Sequence, residues 1–407
     1  MPRSLSPSPF QRLAFSNLSA HAAQQVAMAA VPIIAVVSLH ATIGQVAWIQ
    51  LAQMLPFLLL SMPAGVVADR SAPKALLQGG EAVRAVTLAA VLAVAAMGVL
   101  NLPMLVALSF LGSIGALAYG VAVPTLTLGL VERHDLPAAN ARLELARSVA
   151  FIGGPALAGA LIAWLGATEA IAMATVLSML AIALAWALPD LAPPEARTKD
   201  FRAELLEGAR FVWHDGWLRA AMVVSVVYNA AFFVMQTALV PYATHHLGMS
   251  AAQIGLALSA YGVGMILASL AAPRMAATLS MGQLMTLGIL SAVAASLLML
   301  ATVFFPIPAL VGGCFFVIGA AGVFWLVGFT TLRQLVTPPA LMGRVTSINA
   351  LATYGARPLG AAIAGVVGSA FGVQTCFYLV TAAFLLQLTL FWLSPLPATD
   401  SRHLAKR

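Results

Sequence analysis

The chain has 407 residues, of which 61% are hydrophobic and 8% charged, and its mean hydropathy is +0.97. A soluble globular chain carries about 45–50% apolar and about 25% charged residues, so these charges cannot cover a water-facing surface, and a soluble enzyme, a disordered chain and a nucleic-acid-binding protein are all excluded. The formal net charge of +7 therefore points to a lipid bilayer rather than a polyanion, while Cys314 and Cys376, both in apolar segments, offer neither a disulfide framework nor a metal site.

A membrane-spanning helix needs about 20 mainly apolar residues, and twelve such stretches follow one another. The first, 14–38, comes after Arg3 and Arg12. Ala20-His21-Ala22 looks like a cleavage site, but Ser16, Asn17 and Ser19 break the apolar run before it, so no cleaved signal peptide is expected. Asn17, His21, Gln24 and Gln25 share one face of this span, and a polar face in lipid is expected to look into a water-filled cavity or the bundle interior. The second span, 43–67, is followed by Arg70 and Lys74. The third, 76–100, holds Glu81 and Arg84, and the fourth, 102–130, holds Tyr119 and Thr125. The fifth, 142–165, holds Glu144 and Arg147, then Gly154-Pro155 and Gly159; the sixth is 168–189. Each acid–base pair is spaced i,i+3 and can neutralise itself on one helix face. Two readings stand: a self-satisfied pair near the cytoplasmic end, or part of a gate network and of proton coupling.

A longer connection, 190–218, contains Pro193-Pro194 and then Phe201-Arg202-Ala203-Glu204-Leu205-Leu206-Glu207. Its apolar residues gather on one helical face, as in an amphipathic helix on the cytoplasmic leaflet, and it reads as a tether. The seventh span, 219–243, holds Tyr228, Asn229, Phe232, Phe233 and Gln236. His245-His246 follow in an expected surface loop, since neighbours on a helix point about 100° apart and chelate poorly. Spans 250–272, 282–304 and 308–331 come next, the last with Phe324 and Trp325. The eleventh, 346–369, carries Arg357, with no acid in reach on its own helix, then Gly360 and Gly365; the twelfth is 373–394.

All Lys and Arg outside the spans fall on the termini and the even-to-odd connections, so both termini are expected in the cytoplasm. The halves repeat. Gly154, Gly159 and Gly166 are matched half a chain later by Gly360, Gly365 and Gly372, with the same spacing. Backbone groups in lipid must be paired within the segment, which makes spans of this length helical. The alternating ten-residue strands of a barrel are missing. The expected fold is an all-α integral membrane protein: a six-helix bundle at 1–189, a cytoplasmic linker at 190–218, and a second six-helix bundle with a short tail at 219–407. These spans are expected to use up the chain, with no extramembrane domain. Duplicated bundles of this kind are frequent in secondary transporters, where the halves rock around a site near the midplane.

Gly65-Val66-Val67-Ala68-Asp69-Arg70-Ser71-Ala72-Pro73-Lys74 resembles the signature between spans two and three of the major facilitator superfamily, with Ala72 in place of its second glycine and Pro73 at one basic position. Gly154-Pro155-Ala156-Leu157-Ala158-Gly159 is similar to the span-five motif of proton-driven exporters, without that motif's earlier glycines. Gly343-Arg344-Val345 resembles the branch that contains the enterobactin and macrolide exporters. The resemblance covers essentially the whole chain. It implies that Asp69, Arg70 and Lys74, with Gly65 giving close helix approach, latch onto the start of span eleven near Arg357. It also implies that spans one, four, seven and ten line the substrate cavity, which would then show Asn17, His21, Gln24, Gln25, Tyr119, Tyr228, Asn229, Phe232, Gln236 and Trp325. Gly154, Pro155, Gly159, Gly360 and Gly365 are expected to pack helices.

With no phosphate-binding Gly-Lys loop, ATP is not expected to drive the protein, and neither cofactor nor metal is expected. The expected function is a proton-coupled efflux permease for a small organic compound, drug or siderophore-like, acting as a monomer in the bacterial plasma membrane. Glu81, Glu144 or His21, whose ordinary pKa of about 6.5 suits a relay, would carry the proton. An importer of a small metabolite is the alternative. A membrane enzyme should show clustered catalytic residues and a sensor an appended soluble domain, and neither is expected here.

Overall fold

The computed structural model describes residues 8–60, 63–64, 67, 71–132, 136–191, 201–338 and 341–399. Among these, thirteen helices follow in order: α1 (Pro9–Val37), α2 (Ile43–Leu59), α3 (Pro73–Ala96), α4 (Leu102–Leu130), α5 (Leu136–Trp164), α6 (Ala167–Trp186), α7 (Phe201–His214), α8 (Gly216–His245), α9 (Ala251–Thr278), α10 (Met281–Phe304), α11 (Pro308–Val336), α12 (Met342–Phe371) and α13 (Thr375–Trp392). No strand occurs among the described residues. Eleven helices are long and apolar enough to cross a membrane. The remaining apolar helix, α2, has 17 residues and spans about 25 Å at 1.5 Å per residue, where the sequence predicts a span to 67. The short amphipathic α7 lies in the predicted linker.

Local chemistry sets several helix starts. Ser8 and Gln11 open α1 with a reciprocal cap: the Ser8 amide donates to Gln11 Oε1 (2.8 Å) and the Gln11 amide to Ser8 Oγ (3.2 Å). Ser280 and Gln283 repeat it at α10, Thr42 and Gln45 before α2, and Ser250 and Gln253 before α9. A Ser/Thr-x-x-Gln box satisfies two of the orphan N–H groups of a helix start, and glutamine does so without a charge. His245 and His246 end α8, as its last residue and its C-cap, instead of forming the predicted loop.

The described residues form two compact units. One gathers most of the first half together with Ser250–Ser259, and the other gathers most of the second half together with Thr42–Gln50. In the first unit α1 packs on α5 and α6, and α3 on α4 and α6. In the second α8 packs on α12 and α13, and α10 on α11 and α13. The pattern is the same once α7 is skipped. Small residues permit it. Gly80 lies so close to Gly115 that an added Cβ would stand 2.7 Å from the Gly115 carbonyl oxygen. Within the first unit Gly159 of α5 meets Ala251 and Gly255 of α9; within the second, Gly365 of α12 meets Gly44 and Ala47 of α2.

A buried charge cluster and cavity in the first unit

Glu81 and Arg84 lie one turn apart on α3, and Glu81 is wholly buried while Arg84 is 5% exposed. Arg84 Nε donates to Glu81 Oε2 (2.8 Å) and to Ser178 Oγ (3.3 Å), Arg84 Nη2 donates to Glu81 Oε1, and the Ser178 hydroxyl reaches Glu81 Oε2 at 3.4 Å. The i,i+3 spacing forms the pair, and Ser178 ties it to α6. The ring of Tyr119 from α4 lies under the guanidinium, 5.9 Å from its centroid. Tyr119 is buried and bonded to Ser16 of α1 (3.2 Å); Ser16 in turn donates to the Ala181 carbonyl (2.9 Å), so the phenol must be the donor of the first bond. Four helices thus share one polar cluster. A buried ion pair is costly to desolvate, and here both carboxylate oxygens of Glu81 accept from Arg84.

Arg84 also forms part of a cavity walled by α1, α2, α3 and α4, with about 570 Å³ of empty space, its open mouth included. Gln24, Gln53, Thr87, Ser109 and Ser113 give it polar points, and Met28, Met54, Phe57 and Leu88 give it apolar walls.

The predicted stripe on α1 divides between neighbours. Gln24 reaches the cavity, Asn17 donates to the Leu143 carbonyl of α5 (3.2 Å), Gln25 is buried against Gly154 of α5, and His21 is half-buried. Glu144 and Arg147 pair on an exposed face, with Arg147 also 5.4 Å from the Phe151 ring centroid. Lys74 pairs with Asp190 at 3.1 Å. Gly65, Asp69 and Arg70 lie outside the described residues.

In the second unit, Trp325 is buried in the core against Phe329 and Phe391, and its indole N–H donates to Ser225 Oγ (3.1 Å). Gln387 Nε2 donates to the Val224 carbonyl (3.2 Å). Serine on α8 and aromatic on α11 restate Ser16 and Tyr119, while Gly288 stands against Trp325 and no buried charge pair is seen there among the described residues. Arg357 of α12 donates from Nε to Asn229 Oδ1 (3.3 Å) and lies 4.6 Å from the Tyr354 and 5.5 Å from the Phe233 ring centroids. Tyr228 and Phe232 stack, with Tyr261 tilted 5.6 Å from Phe232; Gln236 is half-buried.

Ser16, Ser178, Gln53 and Thr87 are site residues that the sequence reading leaves out. Single hydroxyls and amides inside apolar runs carry no spacing signal, and only the fold gathers them around Arg84.

These helices define a multi-pass α-helical membrane protein. A family model described as "Transmembrane secretion effector" matches residues 10–407, and the chain belongs to that family, within the major facilitator superfamily. It is 29% identical to the multidrug efflux pump Tap of Mycobacterium tuberculosis (strain ATCC 25618 / H37Rv) over 386 residues, covering 89% of this chain and 88% of Tap. It is 27% identical to the enterobactin exporter EntS of Escherichia coli O1:K1 / APEC over 270 residues, 64% of this chain and 60% of EntS. The crystal structure of a point mutant of the nucleoside transporter NupG shares the fold with a TM-score of 0.78 at 13% identity, covering 95% of this chain and 99% of that chain. Transport of a small molecule across a membrane follows from the family.

Proposed function

We propose that this chain is a proton-coupled exporter of a small organic compound. In this reading the bundles at 1–189 and 219–407, joined by the linker at 190–218, alternate access as a monomer in a bacterial plasma membrane, with both termini in the cytoplasm. Its main support is likeness along nearly the whole chain to a protein named as a multidrug efflux pump, joined by partial likeness to one named as an enterobactin exporter. The one-sided Lys and Arg supply the orientation. Asp69, Arg70 and Lys74, with Gly65, form the cytoplasmic latch toward Arg357. Gln24 and Arg84 present polar groups to the substrate path.

Glu81 is the favoured proton carrier over Glu144. It is buried and bound to Arg84, so its protonation frees a buried cation and forces rearrangement, whereas Glu144 is 56% exposed.

A deletion strain tests the reading. Its sensitivity to a panel of amphiphilic drugs should rise, wild type should restore resistance, and Asp69→Asn at equal membrane level should not. Unchanged sensitivity and accumulation across the panel would remove export.

A further inference from the structure

The linker helix α7 turns its apolar side to the protein rather than to lipid. A Cβ on Gly208 would stand 2.9 Å from Arg344 Cβ of α12, and Val212, 3% exposed, shares an apolar cluster with Leu218 of α8 and Val345 of α12. The face away from them carries Leu206, Arg210 and Trp213, which lie at i, i+4 and i+7 on one side of the helix. Leu206 is 58% and Trp213 62% exposed, so two large apolar groups flank a cation on an open surface. The nearby acids are withdrawn from it. Glu207 pairs with Arg344, and Asp215 caps α8 by accepting from the Leu218 amide (2.8 Å). Arg219 Nη1 donates to the Trp213 carbonyl (3.1 Å) and closes the corner between α7 and α8 with a second cation. No acid pairs with Arg210 or Arg219 among the described residues.

The length of α8 sets the depth of this face. Its 30 residues make a helix about 45 Å long, and a bilayer with its headgroups is ~40–45 Å thick. The start of α8 therefore reaches headgroup level, and Trp213 stands three residues before it. Leu396, just after α13, shares a core cluster with Ala221 near the start of α8. Trp392 and Leu393, both exposed at the end of α13, therefore lie at the same end of this unit. Tryptophan gathers at membrane–water interfaces, the arginine fork matches phosphate, and the cytoplasmic leaflet carries negative charge.

We propose that the outward face of α7 docks on anionic phospholipid of the cytoplasmic leaflet: Arg210 takes the headgroup phosphate, and Leu206 and Trp213 enter the boundary of the acyl chains. The linker helix is then held between α12 and the leaflet.

The test places the full chain in nanodiscs of phosphatidylcholine, or of equal parts phosphatidylcholine and phosphatidylglycerol, and follows amide hydrogen exchange along α7. The amides from Arg210 to His214 should exchange about fivefold more slowly with phosphatidylglycerol, the effect of one arginine near an anionic surface. Arg210→Gln should match wild type in phosphatidylcholine and lose most of the phosphatidylglycerol effect, while Arg210→Lys should keep it. Trp213→Ser should speed exchange in both discs, because interfacial anchoring by an aromatic ring needs no lipid charge. Inorganic phosphate added to phosphatidylcholine discs should not reproduce the protection. Equal exchange in the two discs, a lipid difference that survives Arg210→Gln, exchange unmoved by Trp213→Ser, protection given by inorganic phosphate, or protection seen only with two chains per disc overturns the proposal. It rests on the orientation proposed above and not on export, so the two fail separately: a failed exchange test leaves export standing, and a deletion strain without an export defect leaves the lipid contact standing.

Discussion

Glu81 and Arg84 are three apart in the sequence, and so are Glu144 and Arg147, yet the first pair is buried and the second exposed. The difference comes from neighbours: Ser178 and Tyr119 close over Arg84, while an exposed face leaves Arg147 beside Phe151. The stability consequences differ accordingly. Arg84→Met strands a carboxylate in the core and should cost about 3–5 kcal/mol, read as a lowered thermal midpoint in detergent. The double variant Glu81→Gln with Arg84→Met should recover much of that loss, because no lone charge is left. A double variant as unstable as the single one would show that packing, not charge, holds the cluster. The hydroxyls are individually smaller contributors. Ser16→Ala removes the partner of the Tyr119 hydroxyl and Ser225→Ala that of the Trp325 indole. Each should cost about 1–2 kcal/mol, and similar losses at both sites would support the view that the halves share one internal design. The spacing of the two ion pairs was legible in the sequence, whereas their burial was not, since burial depends on helices distant in the chain.

At the scale of helices, amphipathic patterning carries little information in lipid, because apolar residues face both protein and acyl chains. That is why a polar stripe on α1 was read as one inward face, while α1, packed by α5 on one side and α6 on another, spends Asn17 and Gln25 on α5 and only Gln24 on the cavity. Gly159 and Gly365 each stand against a second small residue of another helix. Gly159→Val should therefore push α5 from α9 and cost about 1–3 kcal/mol, seen as a lower melting temperature and reduced folded yield. Gly79, with open space around its Cβ position, should accept alanine without loss. The amphipathic helix α7 is joined to α12 by Glu207 and Arg344. That pair is partly exposed and worth about 0–1 kcal/mol, so Glu207→Lys should leave global stability nearly unchanged while raising amide exchange along α7.

For the molecule as a whole, the proposed topology rests on the charge distribution. Met97 caps α3 on a connection without Lys or Arg, and Asp190 follows α6 on a connection that carries Arg197, Lys199, Arg202 and Arg210. Cys314 and Cys376 are free but buried, which keeps background labelling low. In intact cells an impermeant maleimide should label Met97→Cys, and should label Asp190→Cys only after permeabilisation. The opposite pattern would invert the topology and with it the direction assigned to the latch.

Composition alone required a membrane, because 8% charged residues cannot solvate a chain of this size. The lengths of the apolar runs required helices, and the recurrence of Gly154-Pro155-x-x-x-Gly159 as Gly360-x-x-x-x-Gly365 announced two related halves. Those properties are local or periodic, so they are written in residue order. The cavity and the Ser16–Tyr119–Arg84–Glu81–Ser178 cluster were decided only by tertiary structure. Each depends on which side of a helix meets which neighbour, and in a chain that is apolar on nearly every face, only the packed bundle makes that choice.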